Sequence, residues 1–185
     1  AKSYLLRLLE ETPNELDKAK IYSELSEIEN SYVEKALDIY RKYGLKEREA
    51  SIILNQSFKE KNLDKSISMI KEAIKIFLEL GMKEHELQAK NLLAYKLYEK
   101  KDYEEAEREL MEIVKYKEFP MLVTWSYIGL ATIEREKGNY QECLKFLDIA
   151  DNLIEEMRGT LFLEDKLRYS EMFATVKREY ARLST

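Results

Sequence analysis

Apolar residues recur at helical spacing along nearly the whole chain. In Leu63–Leu80 the set Ile67, Ile70, Ala73, Ile74, Phe77 and Leu78 follows the i, i+3, i+4, i+7 rule of one helix face. Leu92, Leu93, Tyr95, Leu97 and Tyr98 form a wider stripe, as expected of a helix with neighbours on two sides. Gly44, Gly81, Gly138 and Gly159 fall between such runs, where a left-handed residue ends a helix and reverses the chain. Pro120 separates two further runs because it cannot continue a helix. Thr12-Pro13-Asn14-Glu15 reads as a capping box with Pro at the first helical position. These signals predict helices over 3–11, 13–25, 28–43, 46–60, 63–80, 84–100, 103–117, 121–137, 140–157 and 161–183. Leu16, Ala19, Tyr22, Leu25, Ile28, Tyr32, Ala36 and Ile39 keep an unbroken face, so residues 13–43 read as one helix or as two.

Three of the predicted turns are variants of one phrase: KNLDKS (Lys61–Ser66), KDYEEA (Lys101–Ala106) and GNYQEC (Gly138–Cys143). Each ends on a small residue, and Ser66, Ala106 and Cys143 are separated by 40 and 37 residues. Twelve residues before each of these stands Leu54, Ala94 or Ala131, and seven after it stands Ala73, Ile113 or Ala150. A second echo matches ALDIYRKYGLKE (Ala36–Glu47) to AIKIFLELGMKE (Ala73–Glu84) at an offset of 37. Helices approach closely only where side chains are small, which is what equivalent Ala, Ser and Cys positions provide. Tyr103 and Tyr140, after two of the turns, are expected to fill gaps between hairpins.

At these positions the chain resembles the tetratricopeptide repeat (TPR) family, whose unit is a helix–turn–helix of about 34 residues. The resemblance runs over about residues 30 to 157, with Ser66 and Cys143 standing where Ala is usual. Counted from Gly138, Tyr127 takes the family's Trp position, although Trp125-Ser-Tyr-Ile128-Gly129 imitates the Trp-x-x-Leu-Gly pattern by itself. The resemblance implies an all-α fold, a right-handed superhelix of antiparallel helix hairpins (a TPR-like α-solenoid). A single domain over 1–185 would comprise a degenerate repeat at 1–45, repeats at 46–80, 84–120 and 121–157, and a capping helix at 160–183. The cap would be carried by Leu163, Leu167, Met172, Phe173, Val176 and Tyr180. One hairpin cannot bury its own apolar face, so neighbouring hairpins supply the core.

Composition narrows the function. Charged residues make up 36% and hydrophobic ones 45%, enough apolar surface to fold, and five Gly and two Pro require long elements. The net charge of −5 arises from interspersed charges and does not suit direct nucleic-acid binding. No apolar run approaches the roughly 18 residues of a membrane span, and the first residues run into charge too soon for a secretory signal. A lone Cys143 excludes an internal disulfide and fits a reducing, cytoplasmic setting.

No catalytic or metal-binding constellation is legible. Phosphate loops, nucleophile elbows and spaced Cys/His clusters are missing from the sequence, so no enzyme activity, cofactor or metal is expected. His85 has no identifiable thiol or hydroxyl partner, and Cys143 stands at a packing position. Glu104, Glu105, Glu107 and Glu109, among Arg108 and Lys115, read as a solvated helix face.

The resemblance implies instead a concave groove lined by the first helix of each hairpin. By register the lining residues are Arg48, Ser51, Asn55, Phe58 and Lys59, then Gln88, Asn91, Tyr95, Tyr98 and Glu99, then Trp125, Ile128, Thr132, Arg135 and Glu136. Asn55 and Asn91 offer a donor and an acceptor to the backbone of an extended peptide. Arg48, Lys59 and Arg135 offer charge to a carboxylate, and Tyr95, Tyr98 and Trp125 offer apolar surface, with Thr132 beside them. The expected function is non-catalytic binding of a peptide or partner-protein segment. One version is the sensor domain of a bacterial regulator. The alternatives are a structural assembly adaptor that dimerises through its terminal helices or convex face, and a regulator of an enzyme.

Overall fold

A computed structural model gives the protein's structure for residues 1–158 and 165–183, excluding the side chains of residues 165–169 and 173. The helices are α1 (Lys2–Glu11), α2 (Glu15–Ile28), α3 (Val33–Lys42), α4 (Lys46–Lys59), α5 (Leu63–Glu79), α6 (Lys83–Glu99), α7 (Tyr103–Ile113), α8 (Pro120–Glu136), α9 (Tyr140–Met157) and α10 (Asp165–Leu183). No strand occurs among the described residues. The all-α class is as expected, and sequential helices pack in pairs as in an α-solenoid. Gly159, Leu163, Leu167 and Phe173, given roles from the sequence, lie outside the described residues or side chains.

Residues 13–43 form two helices. Glu29 breaks them with an extended backbone (φ −149°, ψ 121°), followed by a 3₁₀ turn at Asn30–Tyr32. Lys2 of α1 donates to the Glu29 carboxylate, as does the Ser31 hydroxyl, so the break is tied down by polar partners. The start of α2 also differs from expectation. Thr12 ends α1, donating its hydroxyl to Leu8 O, and Asn14 caps α2 by accepting from the backbone N–H groups of Leu16 and Asp17. Pro13 stands between the two helices rather than inside one. Helix α7 stops four residues early, and Pro120 occupies the first turn of α8, where its missing N–H costs nothing.

Four helix ends share one geometry. Gly44, Gly81, Gly138 and Lys101 have φ of 66°, 68°, 80° and 66°. Each is followed by a backbone N–H that reaches back five residues: Leu45 to Tyr40 O, Met82 to Phe77 O, Asn139 to Glu134 O and Asp102 to Leu97 O. This is the Schellman closure that satisfies the last carbonyls of a helix. Lys101 performs it with a side chain, and a left-handed L-residue costs about 1–2 kcal/mol. Lys101→Gly is therefore expected to stabilise the fold by about 0.5–1 kcal/mol, less than the full strain because Gly also loosens the unfolded chain. Urea unfolding followed by circular dichroism should show a higher midpoint at an unchanged slope; a lower midpoint would refute the strain.

The turn phrases now have a second role. Asn62 and Asp102 cap α5 and α7, accepting from Lys65 N and Glu105 N, while Asn139 instead donates to the Glu134 carboxylate. The small positions Ser66, Ala73, Ala94, Ala106, Ala131, Cys143 and Ala150 are all buried. Ser66 donates its hydroxyl to Ser57 O across the α4–α5 hairpin at 2.7 Å. Tyr103 is half-buried and packs on Tyr98, with ring centroids 5.7 Å apart. Tyr140 is exposed and fills no gap, because its position at the start of α9 turns the ring to solvent.

Two compact units follow from the contacts, Ala1–Lys83 and Glu84–Thr185. In the first, α1 packs on α2, α2 on α3, α3 on α4 and α4 on α5. Leu5, Ile21 and Leu25 form one of its apolar clusters. In the second, α7 packs on α8, α8 on α9, and α10 covers both α8 and α9. Its core holds Ile128, Ala131, Cys143, Leu147, Ala150 and Ile154, with Met172 and Val176 contributed by α10. Tyr180 of α10 donates to Asp148 of α9, so the C-terminal helix is held by apolar and polar contacts together.

Candidate functional site

Within the second unit, α6 and α8 face one another across an apolar cavity of about 230 Å³. Helix α6 contributes Asn91, Ala94, Tyr95 and Tyr98; α8 contributes Trp125, Ile128, Gly129 and Thr132. Both sets run i, i+3, i+4, i+7, so each is one face of its helix. Leu110 of α7 and Ile133 close the inner side. The space exists because the central pair is Ala94 and Gly129. A Cβ added to Gly129 would lie 2.9 Å from Leu110 Cδ1, so the glycine is what lets α7 approach α8 here.

Polar groups ring this cavity sparingly. The Asn91 amide donates to Ser126 Oγ at 3.3 Å, and the Ser126 hydroxyl in turn donates to Leu122 O. The Asn91 carbonyl oxygen is left as an acceptor with no hydrogen bond from a described residue. Thr132 donates to Ile128 O of its own helix. Burial pushes the Tyr95 phenol up, and its hydrogen bond to Glu99 adds to this. Burial likewise raises Tyr98, followed by the Glu136 carboxylate to which it donates. Both phenols therefore remain protonated donors at neutral pH. Lys96, 5.4 Å from the Tyr95 ring centroid, is bonded to Glu99 at 2.8 Å.

Five of the nine residues expected to bind a partner meet at this cavity: Asn91, Tyr95, Tyr98, Trp125 and Thr132. Ile128 joins them. Arg135 does not line it. Its guanidinium is bonded to Glu136 and to the buried Glu179 of α10, so the charge expected to meet a partner's carboxylate is already neutralised internally. Arg48, Asn55 and Lys59 belong to the first unit. Lys59 donates to Ser26 O and pairs with Glu27 at 3.2 Å, which ties α4 to α2. It borders a separate hollow of about 450 Å³, where the buried Gln56 Nε2 has no hydrogen-bond partner. Arg48 lines another hollow with Asp17 and Tyr40, and Asn55 is exposed. Cys143 is buried, and burial pushes its thiol up, away from nucleophilic reactivity.

Three contributors, Leu110, Gly129 and Ile133, are not among the residues the sequence points to. Leu110 is on a second helix of a hairpin, outside the expected groove. Gly129 was noted only as part of a motif imitation, although a Gly inside a helix is itself a signal of close approach. The competing registers at Trp125 and Tyr127 divide cleanly. Tyr127 packs on Phe146 of α9, with centroids 6.0 Å apart, and Trp125 lines the cavity.

Trp125 also forms a wall of a second hollow of about 490 Å³, of mixed polar and apolar lining, with Glu84, Gln88, Glu118, Met121, Leu122 and Glu171 among its residues. Among the described residues no helix is long and apolar enough to cross a membrane. No protein-family model matches the chain, and no curated protein matches it. Among solved structures, the fold is similar to the crystal structure of BtubC (BKLC) from P. vanneervenii, with a TM-score of 0.73, 19% identity, and coverage of 88% of this chain and 75% of that one.

Proposed function

We propose that the chain is a non-catalytic interaction module that binds an extended peptide or partner-protein segment, with the α6–α8 cavity receiving one bulky apolar side chain. The size of the cavity carries this reading. At about 230 Å³ it is smaller than the roughly 300–1,000 Å³ usual for sites that enclose a small-molecule ligand. It is larger than a cavity of about 150 Å³, which suffices for benzene. One aromatic or long aliphatic side chain fits that interval. The free acceptor of Asn91 at the wall suits a backbone N–H of the same segment. A buried, unactivated Cys143 supports both the non-catalytic reading and a reducing, cytoplasmic setting.

Trp125 is the only tryptophan, so its fluorescence reports directly on the cavity. Peptides selected from a random library on the full chain should shift that emission. Gly129→Ala is the control: its methyl drives Leu110 into the cavity, while added helix propensity of up to about 1 kcal/mol offsets the repacking. The variant should stay folded by circular dichroism and lose at least about tenfold in peptide affinity, or about 1.4 kcal/mol. Selected peptides that bind the folded Gly129→Ala variant as well as the parent would sink the assignment.

A further inference from the structure

The charge distribution says which segments the cavity would accept. Residues 1–83 carry fifteen basic and fifteen acidic side chains, and residues 84–185 carry sixteen and twenty-one. The whole net charge of −5 therefore resides in the unit that holds the cavity.

The excess is also placed. The hollow on the other side of Trp125 contains Glu84, Glu118 and Glu171, from the start of α6, the α7–α8 connection and α10. Among the described residues, no Lys or Arg lines it. Glu84 accepts from Gln88, and neither Glu118 nor Glu171 makes an ion pair with a described residue. The cations nearest the apolar cavity are engaged: Arg135 by Glu136 and Glu179, Lys96 by Glu99. Three carboxylates with no ion pair to a described residue thus adjoin an apolar cavity, and the two spaces share an indole wall on which a cation can also rest.

Resting on the peptide-binding reading above, we infer that the partner segment is basic, with a bulky apolar side chain in the α6–α8 cavity and a Lys or Arg close in sequence seated over Glu118 and Glu171. Alternate side chains of an extended segment are about 7 Å apart on one side, a step suited to two spaces divided by a single Trp. This reverses the polarity expected from Arg48, Lys59 and Arg135. An acidic partner would place its carboxylates against Glu84, Glu118 and Glu171, and like charges in such an interface suppress binding.

A phage-displayed random dodecapeptide library, selected on the full chain, separates the possibilities. The expected winners combine Leu, Met or an aromatic residue with Lys or Arg within a few positions, and shift Trp125 fluorescence. Glu118→Lys combined with Glu171→Lys should weaken those peptides by about tenfold and flatten their salt dependence, since both residues are exposed and their replacement leaves the core untouched. Winners that are neutral or acidic, or that bind the double variant equally well, overturn the basic-segment inference and leave the peptide-binding function standing. Enrichment of no peptide that responds to Gly129→Ala overturns both.

Discussion

Arg135→Met is expected to lower the stability of the protein by about 3 kcal/mol, although Arg135 was expected to serve a ligand. Its guanidinium joins three helices. It bonds Glu179 of α10 and its own neighbour Glu136, and Glu136 accepts from the Tyr98 phenol of α6. Burial opposes the Arg135 charge, but the two carboxylates more than compensate and hold it above its ordinary value. The Glu179 side chain is only 6% exposed. Its remaining partner, Arg182, is mostly in solvent at 59%. Breaking a buried pair by removing one member leaves an uncompensated charge, at a cost of about 3–5 kcal/mol; Arg182 keeps this case at the lower end. Thermal unfolding should fall by about 10 °C for a chain of this length. Adding Glu179→Leu should recover most of the loss, because two apolar side chains of suitable size often replace such a pair without penalty. A single-variant cost below about 1 kcal/mol would mean a solvent-screened pair, and would return Arg135 to the pool of residues open to a partner.

What the sequence could and could not convey follows from the range of the interactions. Helices announced themselves through a period of 3.6 and through Gly44, Gly81 and Gly138, whose left-handed conformation is a local need. The Glu29 break was hidden because the apolar face continues through it, and the groups that stabilise it, Lys2 and Ser31, are polar and partly remote. Lys101 adopts the glycine conformation with no glycine to mark it, and Asn62 and Asp102 cap their helices from inside turn phrases whose apolar and small positions carry the repeat. The candidate site was legible as a face: Asn91, Tyr95 and Tyr98 on one helix, Trp125 and Thr132 on another. The fate of its cations was not. Arg135 and Glu179 are 44 residues apart, and nothing local distinguishes a lysine that meets a partner from one, like Lys59, bonded to a carbonyl 33 residues away.

The repeat itself makes the other large prediction, because its small residues and its large ones must fail in opposite ways. Leu147→Ala should cost about 4 kcal/mol. Leu147 is fully buried among Ile128, Ala131, Cys143, Ala150, Met172 and Val176, contributed by α8, α9 and α10. Leu-to-Ala losses run from about 2 to 5 kcal/mol, and the upper half applies where neighbours cannot collapse into the space. Ala131, Cys143 and Ala150 are too short to do so, and α10 is pinned by Tyr180 on Asp148. Cys143 occupies the last place of the phrase GNYQEC, where the other turns have Ser66 and Ala106. If that place marks the closest approach of helices, Cys143→Ala should cost about 1 kcal/mol or less, since only a sulfur is removed. Cys143→Leu should cost about 1–3 kcal/mol, because it adds volume where the helices leave none. Urea unfolding read by circular dichroism and by Trp125, which packs on the same cluster, measures all three. A Cys143→Leu variant as stable as Cys143→Ala would show spare volume at the turn position, and the recurrence of Ser, Ala and Cys there would then need a cause other than close packing.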